Sequence, residues 1–364
     1  MLPKGSLFLL AVRSFRNRAY FNLMTPKLSN CKSTLPKTTL QQRRVNTMST
    51  TPVNPQGYIG QSGRNYKIEG VLRKETSPLL QVYLASDGNQ KFILKYIQPA
   101  NLTDLQGINN RLLRSGASHV RLAQDTIPER SIFVFEYFAD HLLHLAREDL
   151  PLDVKKRILK DTLRGIAELH DQDIVHTDIK ADNVFIDWKR DQDGITIERV
   201  HLGDLEDAAY IPPGSHMIGK QPGNWMWRSP EAHAGGSVNK PSDIFSFALV
   251  CIYAMHKRVI FAVGEDELEE GVERLAIVIE RQLSYFADED GLKEFLKLLG
   301  DSPWVDVFQV TWNGFSENNP RRPFSLWDGV DDDFKSLICG MTNFDAERRI
   351  TAREALAHKW FEGV

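Results

Sequence analysis

Three side chains of different chemistry lie close together in the segment Val175–Val184: Asp178 is followed by Lys180 two positions later and by Asn183 five positions later. A carboxylate can orient a hydroxyl and accept its proton, an ammonium can neutralise a moving phosphoryl group, and an amide oxygen can hold Mg²⁺. Asp and Asn also favour ordinary polar turns, but a turn explains neither this spacing nor the apolar strand pattern that follows at once. The combination predicts phosphoryl-transfer chemistry.

The same segment resembles the catalytic loop of eukaryotic protein kinases, and Lys180 resembles the serine/threonine form of that loop. The resemblance implies that Asp178 is the base that orients the substrate hydroxyl, that Lys180 stabilises the transferring phosphoryl group and that Asn183 binds Mg²⁺. Thr177 stands where the family has an arginine. Because that arginine receives a phosphate on the activation segment, its replacement predicts activity that does not depend on phosphorylation there.

Two charged residues outside the loop extend the resemblance. Lys95 ends the apolar run Phe92–Lys95 and is similar to the family's lysine that pairs the α- and β-phosphates of ATP; taken alone, a lysine that ends a strand is usually a solvated surface charge. Asp204 falls where the family has its D-F-G motif, which implies a second Mg²⁺ ligand. Leu205 and Glu206 replace the aromatic residue and the glycine of that motif, and the loss of glycine removes backbone freedom at a hinge.

The segment Phe135–Phe138 resembles the hinge between the two kinase lobes. By that match the Glu136 carbonyl and the Phe138 backbone bind adenine, with Phe135 as the gatekeeper, although ordinary core packing explains the aromatic residues equally well. The resemblance as a whole implies ATP and Mg²⁺ as cofactors and protein hydroxyls as phosphoryl acceptors.

Three further matches lie downstream in the family's order. The segment Trp227–Glu231 resembles the A-P-E motif, Asp243 would hydrogen-bond the backbone of the catalytic loop, and Arg349 would pair with Glu231 because a buried charge needs a partner. These elements build a platform for a peptide substrate, which argues against a small-molecule kinase of the aminoglycoside or choline type. The His-Thr-Asp and Arg-Ser-Pro-Glu sequences also resemble SR-protein kinases and their fungal relatives at a few positions.

The sequence departs from the family pattern in the small lobe. Only Gly70 matches the phosphate-covering G-x-G-x-x-G pattern, and the side chains of residues 73–78 would keep the backbone away from a phosphate. The helix that should supply a glutamate for Lys95 offers Asp104 and Gln106 instead. With Glu206, these losses leave open a pseudokinase that binds nucleotide or partners without efficient turnover.

The order of secondary-structure patterns predicts an α+β fold in two lobes. Strand patterns over residues 66–73, 79–86, 91–97, 120–127 and 131–137, with a helical pattern over 101–114, predict a small antiparallel β lobe with one helix. Helical periodicity dominates afterwards, apart from a hairpin over 184–188 and 195–202. We expect a basic leader and linker over residues 1–64 and a kinase domain over 65–362, divided into lobes at 65–138 and 139–362.

Charge is distributed unevenly along the 364 residues. Residues 1–50 carry nine Lys or Arg and no Asp or Glu, which leaves 36 basic and 48 acidic residues for the remainder. An acidic body gives no indication of nucleic-acid binding. The leader resembles a mitochondrial presequence; the alternatives are a disordered basic tail or an extension upstream of a start at Met48. We therefore expect an intracellular protein, mitochondrial if the leader is a presequence and otherwise cytoplasmic or nuclear.

Two other features of the composition narrow the class of protein. The three cysteines, Cys31, Cys251 and Cys339, are far apart, which predicts neither a disulfide framework nor a metal cluster and suits a reducing compartment. The apolar run Phe247–Met255 is shorter than the ~20 residues that a membrane crossing needs. It predicts a buried core helix and no membrane span.

Overall fold

The computed structural model describes residues 57–73, 82–192, 194–268 and 270–364. Most of the predicted leader and linker, the polar stretch over 74–78 and the first three residues of the strand predicted over 79–86 lie outside the described residues. The described chain forms a small, mostly β lobe followed by a larger, mainly helical lobe. This arrangement confirms the predicted α+β fold in two lobes.

The small lobe is built on a six-stranded antiparallel sheet with strand order β1-β2-β3-β4-β6-β5. Its strands are β1 (Tyr58–Ile59), β2 (Asn65–Arg73), β3 (Val82–Asp87), β4 (Gln90–Tyr96), β5 (Asp125–Ile127) and β6 (Ile132–Glu136). Strand β1 lies in the segment that the sequence analysis assigned to the linker, and it pairs with β2 through Tyr58 opposite Tyr66. The sheet therefore begins before residue 65.

Alternating burial explains why this sheet forms and how it places Lys95. Tyr83 and Ala85 of β3 and Phe92 and Leu94 of β4 are buried in the lobe's core, as expected when one face of a sheet packs inward. The register sets Lys95 between Val82 on β3 and Phe133 on β6. Lys95 thus projects from a central strand, where its position is fixed on both sides.

One helix, α1 (Pro99–Ser115), packs on this sheet. It begins with proline in its first turn and ends at Gly116, which adopts a left-handed conformation with φ 75°, both common helix-end signals. Its buried side chains are Leu105, Ile108, Asn109 and Leu112.

The large lobe contains nine α-helices and five short or hairpin strands in its described residues. The helices are α2 (Leu142–Leu145), α3 (Leu152–Asp171), α4 (Pro230–His233), α5 (Lys240–His256), α6 (Arg274–Phe286), α7 (Glu289–Leu299), α8 (Trp304–Asn313), α9 (Asp332–Thr342) and α10 (Ala352–Leu356). The strands are β7 (Asp140–His141), β8 (Ile174–Val175), β9 (Val184–Asp191), β10 (Gly194–Leu202) and β11 (Ala209–Tyr210).

Helix α5 is the centre of the large lobe. Almost every side chain from Ser242 to Ala254 is buried, as expected for a helix that is apolar on all sides. The helix starts at a capping box formed by Asn239 and Ser242. The predicted buried core helix is therefore confirmed. None of the helices in the described part of the chain is both long enough and apolar enough for a membrane crossing.

Candidate active site

The three polar residues of the predicted catalytic loop meet between β8 and β9. Asp178 is 8% exposed, and its Oδ2 lies 2.7 Å from Lys180 Nζ. The Asn183 side-chain amide donates to the Asp178 carbonyl over 2.9 Å. Hydrogen bonding and charge pairing with Asp178 outweigh the desolvation of Lys180 and raise the lysine's pKa. The loop therefore presents a buried carboxylate with a charged ammonium beside it.

Asp243 of α5 holds this loop in place. Its carboxylate accepts from the backbone N–H groups of His176 over 2.8 Å and of Thr177 over 2.9 Å. Thr177 has φ 65°, a conformation that is rare and strained for a β-branched residue. The Thr177 hydroxyl also donates to the Asp207 carbonyl over 2.8 Å. These contacts fix a strained turn directly before Asp178, as the predicted role of Asp243 requires.

Lys95 and Asp204 meet in the cleft although 109 positions separate them in the chain. Lys95 Nζ lies 2.7 Å from Asp204 Oδ1 and 2.6 Å from Glu206 Oε1. Burial opposes both charges, but the two carboxylates raise the pKa of Lys95, and Lys95 lowers the pKa of Asp204. Burial and the neighbouring carboxylates raise the pKa of Glu206 despite its contact with Lys95.

Asn183 and Asp204 are suitably placed to share a metal ion. Val184 and Leu202 are paired at the end of the β9–β10 hairpin, so these two residues leave the same end of adjacent strands. The Gly203 N–H donates to the Asn183 carbonyl over 2.9 Å. Asp204 also lies beside a second carboxylate, that of Glu206, and both pair with the Lys95 ammonium. Carboxylate and amide oxygens are ligands that Mg²⁺ prefers, so these residues fit the ion that the resemblance implies.

The carboxylate that the sequence analysis found missing from α1 is supplied from another element. Asp104 and Gln106 are exposed, whereas the buried Leu105 lines the cleft beside Lys95. Glu206 lies in the 3₁₀ turn Leu205–Asp207 and provides the second carboxylate at Lys95. The sequence analysis counted Glu206 as a loss from the site, but its carboxylate lies where it can pair with Lys95.

Two arginines that the sequence analysis did not single out contact the predicted hinge from other segments of the chain. Arg121 donates through both Nε and Nη2 to the Glu136 carbonyl, with 3.1 Å for the Nε contact. Arg199 pairs with the carboxylates of Glu136 and Asp187. Phe138 is buried, and its ring centroid lies 4.2 Å from the guanidinium carbon of Arg199. The carbonyl predicted to meet adenine therefore has a partner within the chain.

The predicted activation segment closes onto the Asp178 carboxylate. The Asn224 N–H donates to Asp178 Oδ1 over 2.7 Å. Gly223 makes this approach possible: it has φ 76°, and a Cβ there would lie 2.2 Å from the Thr177 carbonyl. Arg228 donates to the Pro222 and Gly223 carbonyls and holds the turn.

The predicted structural pair at the end of this segment is present. Arg349 binds Glu231 through two hydrogen bonds of 2.6 and 2.8 Å, in a fully buried setting. Burial opposes ionisation of Glu231, but the Arg349 charge and hydrogen bonds lower its pKa. The segment is thereby anchored on the large lobe through a paired buried charge.

Two further contacts hold the same segment on the large lobe. Strand β11 pairs with β8 through Tyr210 opposite Ile174, and the Asn239 side chain donates to the Ser215 carbonyl over 2.8 Å. We therefore expect Ser215→Ala and Tyr210→Phe, separately and together, to retain kcat/KM within about twofold, the usual scale for exposed surface changes. Kinetics before and after phosphatase treatment would check this. A large loss of turnover in either variant would refute it.

A cavity of about 420 Å³, within the size range of small-molecule sites, lies between the two lobes. Of the predicted site residues, Lys95, Asp204 and Phe138 line this cavity, whereas Asp178, Lys180, Asn183 and Glu136 are not among its lining residues. The catalytic-type loop is nevertheless close to it, because the charge of Lys180 contributes to lowering the pKa of Asp204.

Sequence reasoning missed Arg121, Gly223 and Asn224. The sequence did offer one signal at Gly223: a glycine directly before Asn224–Trp227 can mark a place where the backbone comes close to another segment. The role of Asn224 depends on its backbone N–H, which no side-chain pattern reveals. Arg121 acquires its partners only from segments distant in sequence.

The family model described as "Protein kinase domain" matches residues 93–361. Cyclin-dependent kinase B2-1 of Oryza sativa subsp. japonica is 24% identical over 245 residues, which cover 64% of this chain and 65% of that protein. Cyclin-dependent kinase 1 of Encephalitozoon cuniculi is 25% identical over 319 residues, covering 78% of this chain and 92% of that protein.

The likeness extends to other kinases and to a solved structure. Serine/threonine-protein kinase AFC1 of Arabidopsis thaliana is 23% identical over 265 residues, covering 63% of this chain and 54% of that protein. Among the first relatives, the chain spans 65%, 32% and 35% of their own length. The crystal structure of the yeast RNA Pol II CTD kinase CTDK-1 complex superposes with a TM-score of 0.63 at 18% identity, covering 90% of this chain and 97% of that one. At that identity the match shows the fold alone.

Proposed function

This chain belongs to the protein kinase family, and from that premise we propose that it is an active serine/threonine kinase that transfers the γ-phosphoryl group of ATP to protein hydroxyls. The observation that carries the proposal is the ion-paired meeting of Lys95 Nζ with Asp204 Oδ1, 2.7 Å apart, beside a loop in which Lys180 lies 2.7 Å from the Asp178 carboxylate. Each group needed at the metal, the phosphates or the attacking hydroxyl is present.

In the proposed reaction, Asp178 orients the hydroxyl of a substrate serine or threonine and accepts its proton. The hydroxyl oxygen forms a bond to the γ-phosphorus as the bond from that phosphorus to the β–γ bridging oxygen breaks, and ADP leaves. Lys180 lies beside Asp178 and neutralises the transferring group. Lys95 binds the α- and β-phosphates.

Asn183 and Asp204 would hold Mg²⁺, which when bound supplies positive charge against the β- and γ-phosphates. Glu206 Oε1 lies 2.6 Å from Lys95 Nζ, so the lysine has a second counter-ion in addition to the proposed metal ligand Asp204. This contact favours a working site, although the sequence analysis counted Glu206 among the features of a pseudokinase.

The acceptor is proposed to be a protein because the peptide platform is built. Glu231 and Arg349 anchor the segment that follows the cleft, and the Asn224 backbone reaches the Asp178 carboxylate. The names of the similar proteins, which include serine/threonine-protein kinases, favour serine and threonine as the accepting residues.

The purified full chain, incubated with γ-labelled ATP, Mg²⁺ and either a mixed peptide library or a panel of small alcohols and amines, tests the proposal. We expect label on serine or threonine of the peptides. Nucleotide binding without transfer would overturn the proposal in favour of a pseudokinase. Transfer to the small acceptors alone would overturn it in favour of a small-molecule kinase.

A further inference from the structure

Arg121 places a cation inside the proposed nucleotide cavity. Its backbone N–H donates to the Leu202 carbonyl over 2.7 Å, which fixes the start of the side chain. Its guanidinium carbon lies 4.4 Å from the ring centroid of Phe185, 5.1 Å from that of Phe135 and 5.7 Å from that of Phe138. Three rings from three separate segments therefore surround one guanidinium, an arrangement that holds a cation by its interaction with the ring faces.

The guanidinium also occupies the acceptor at the hinge. Nε and Nη2 both donate to the Glu136 carbonyl oxygen, and a carbonyl oxygen has two lone pairs. Burial lowers the pKa of Arg121 to about 10, so the side chain keeps its charge at neutral pH. A base that enters the cavity would therefore meet the N–H donors of Arg121. Without Arg121, it would meet the Glu136 carbonyl, which is an acceptor.

The chemistry of this position separates two classes of purine. The 6-amino group of adenine would direct N–H donors toward a cation that is itself a donor. A 6-oxo group would accept a charge-assisted hydrogen bond from the guanidinium, and in the major groove of DNA, contacts from arginine or lysine to guanine O6 and N7 are the commonest base-specific contacts. We propose that Arg121 broadens the base selectivity of this cavity, so that purine nucleotides with an oxygen at C6, such as GTP, bind alongside ATP. The inference rests on the proposed function, because it assumes that the cavity binds a nucleoside triphosphate.

The test compares the dissociation constants of ATP, GTP and ITP, measured calorimetrically with Mg²⁺ and without a peptide acceptor. ITP carries the 6-oxo group but lacks the 2-amino group of guanine, so it should follow GTP. In Arg121→Met we expect the ratio of ATP to GTP affinity to shift toward ATP by about tenfold or more, the scale of discrimination by an arginine–guanine contact. Arg121→Lys keeps the charge without the planar fork, and its ratio should lie between the two.

Arg190→Met is the matched control. The Arg190 guanidinium carbon also lies over an aromatic ring, 5.8 Å from the Trp188 centroid, but the side chain is exposed and pairs with Glu148, and Arg190 does not line the cavity, so the ratio should stay at the wild-type value. An unchanged ratio in Arg121→Met, or an equal change for all three nucleotides, would overturn the proposal. Phosphoryl transfer is measured in parallel: lost transfer with a shifted ratio counts against the proposed kinase activity alone, and normal transfer with an unchanged ratio counts against the role of Arg121 alone.

Discussion

Asp178→Asn should lower kcat for peptide phosphorylation by about three orders of magnitude, within the range of general-base contributions. Asparagine has nearly the same shape, and its amide oxygen can still accept from the Asn224 N–H, which lies 2.7 Å from Oδ1 in the structure. It cannot accept the proton of the attacking hydroxyl, and it removes the charge that faces Lys180. The loss should therefore appear in the chemical step. Single-turnover kinetics would measure it directly.

Asp171→Asn is the control for this substitution. Asp171 lies at the end of α3 and pairs with Arg353 at the surface, so its loss should leave turnover nearly unchanged. Dissociation constants for nucleotide should agree within about threefold between wild type and Asp178→Asn, because the substituted group faces the acceptor and not the base. Wild-type turnover in Asp178→Asn would falsify the assignment of the base.

The second large effect is expected at Glu206. Glu206→Gln should reduce kcat/KM by about 100-fold, the scale of losing one preorganised electrostatic contact in an active site. The amide would leave Asp204, which is also the proposed metal ligand, as the one carboxylate paired with Lys95 among the described residues. Glu206→Asp, which keeps the charge on a shorter side chain, should recover part of the loss.

Asp104→Asn distinguishes this arrangement from a helix-borne ion pair. Asp104 is the acid that α1 offers near Lys95 in sequence, and it is exposed. We expect wild-type kcat/KM for this variant. The reverse pattern, with activity lost in Asp104→Asn and kept in Glu206→Gln, would show that α1 moves in to pair with Lys95 and that Glu206 has no positioning role. Thermal unfolding of both variants without nucleotide would separate these effects from a loss of folding.

The sequence allowed the catalytic loop to be predicted because its chemistry is local. Asp178, Lys180 and Asn183 lie within one loop, and the strand pattern after them fixed where that loop ends. Asp204 followed from its position after the second strand of a hairpin. The pair of Glu231 and Arg349 could be anticipated because the resemblance to protein kinases implied it, and a buried charge requires a partner of opposite sign.

The remaining features depend on contacts between distant segments. The pairing of Lys95 with Glu206 joins β4 to a turn after β10. In the sequence, Glu206 indicates only that the glycine of the D-F-G motif is missing, and its contact with Lys95 is not visible. Arg121 belongs to no recognisable sequence motif, and its placement depends on contacts with three aromatic rings and the Glu136 carbonyl. Strand β1 was missed because two residues inside a polar segment carry no usable periodicity.

The seating of the activation segment bears on how such an enzyme would be governed in a cell. Strand β11 is paired with β8, and the Asn224 N–H reaches the Asp178 carboxylate, so the segment is held at two places by contacts within the chain. If the variants of Ser215 and Tyr210 retain turnover as predicted, cellular output would be expected to follow the amount of the enzyme and its encounter with targets, and not a modification of this segment.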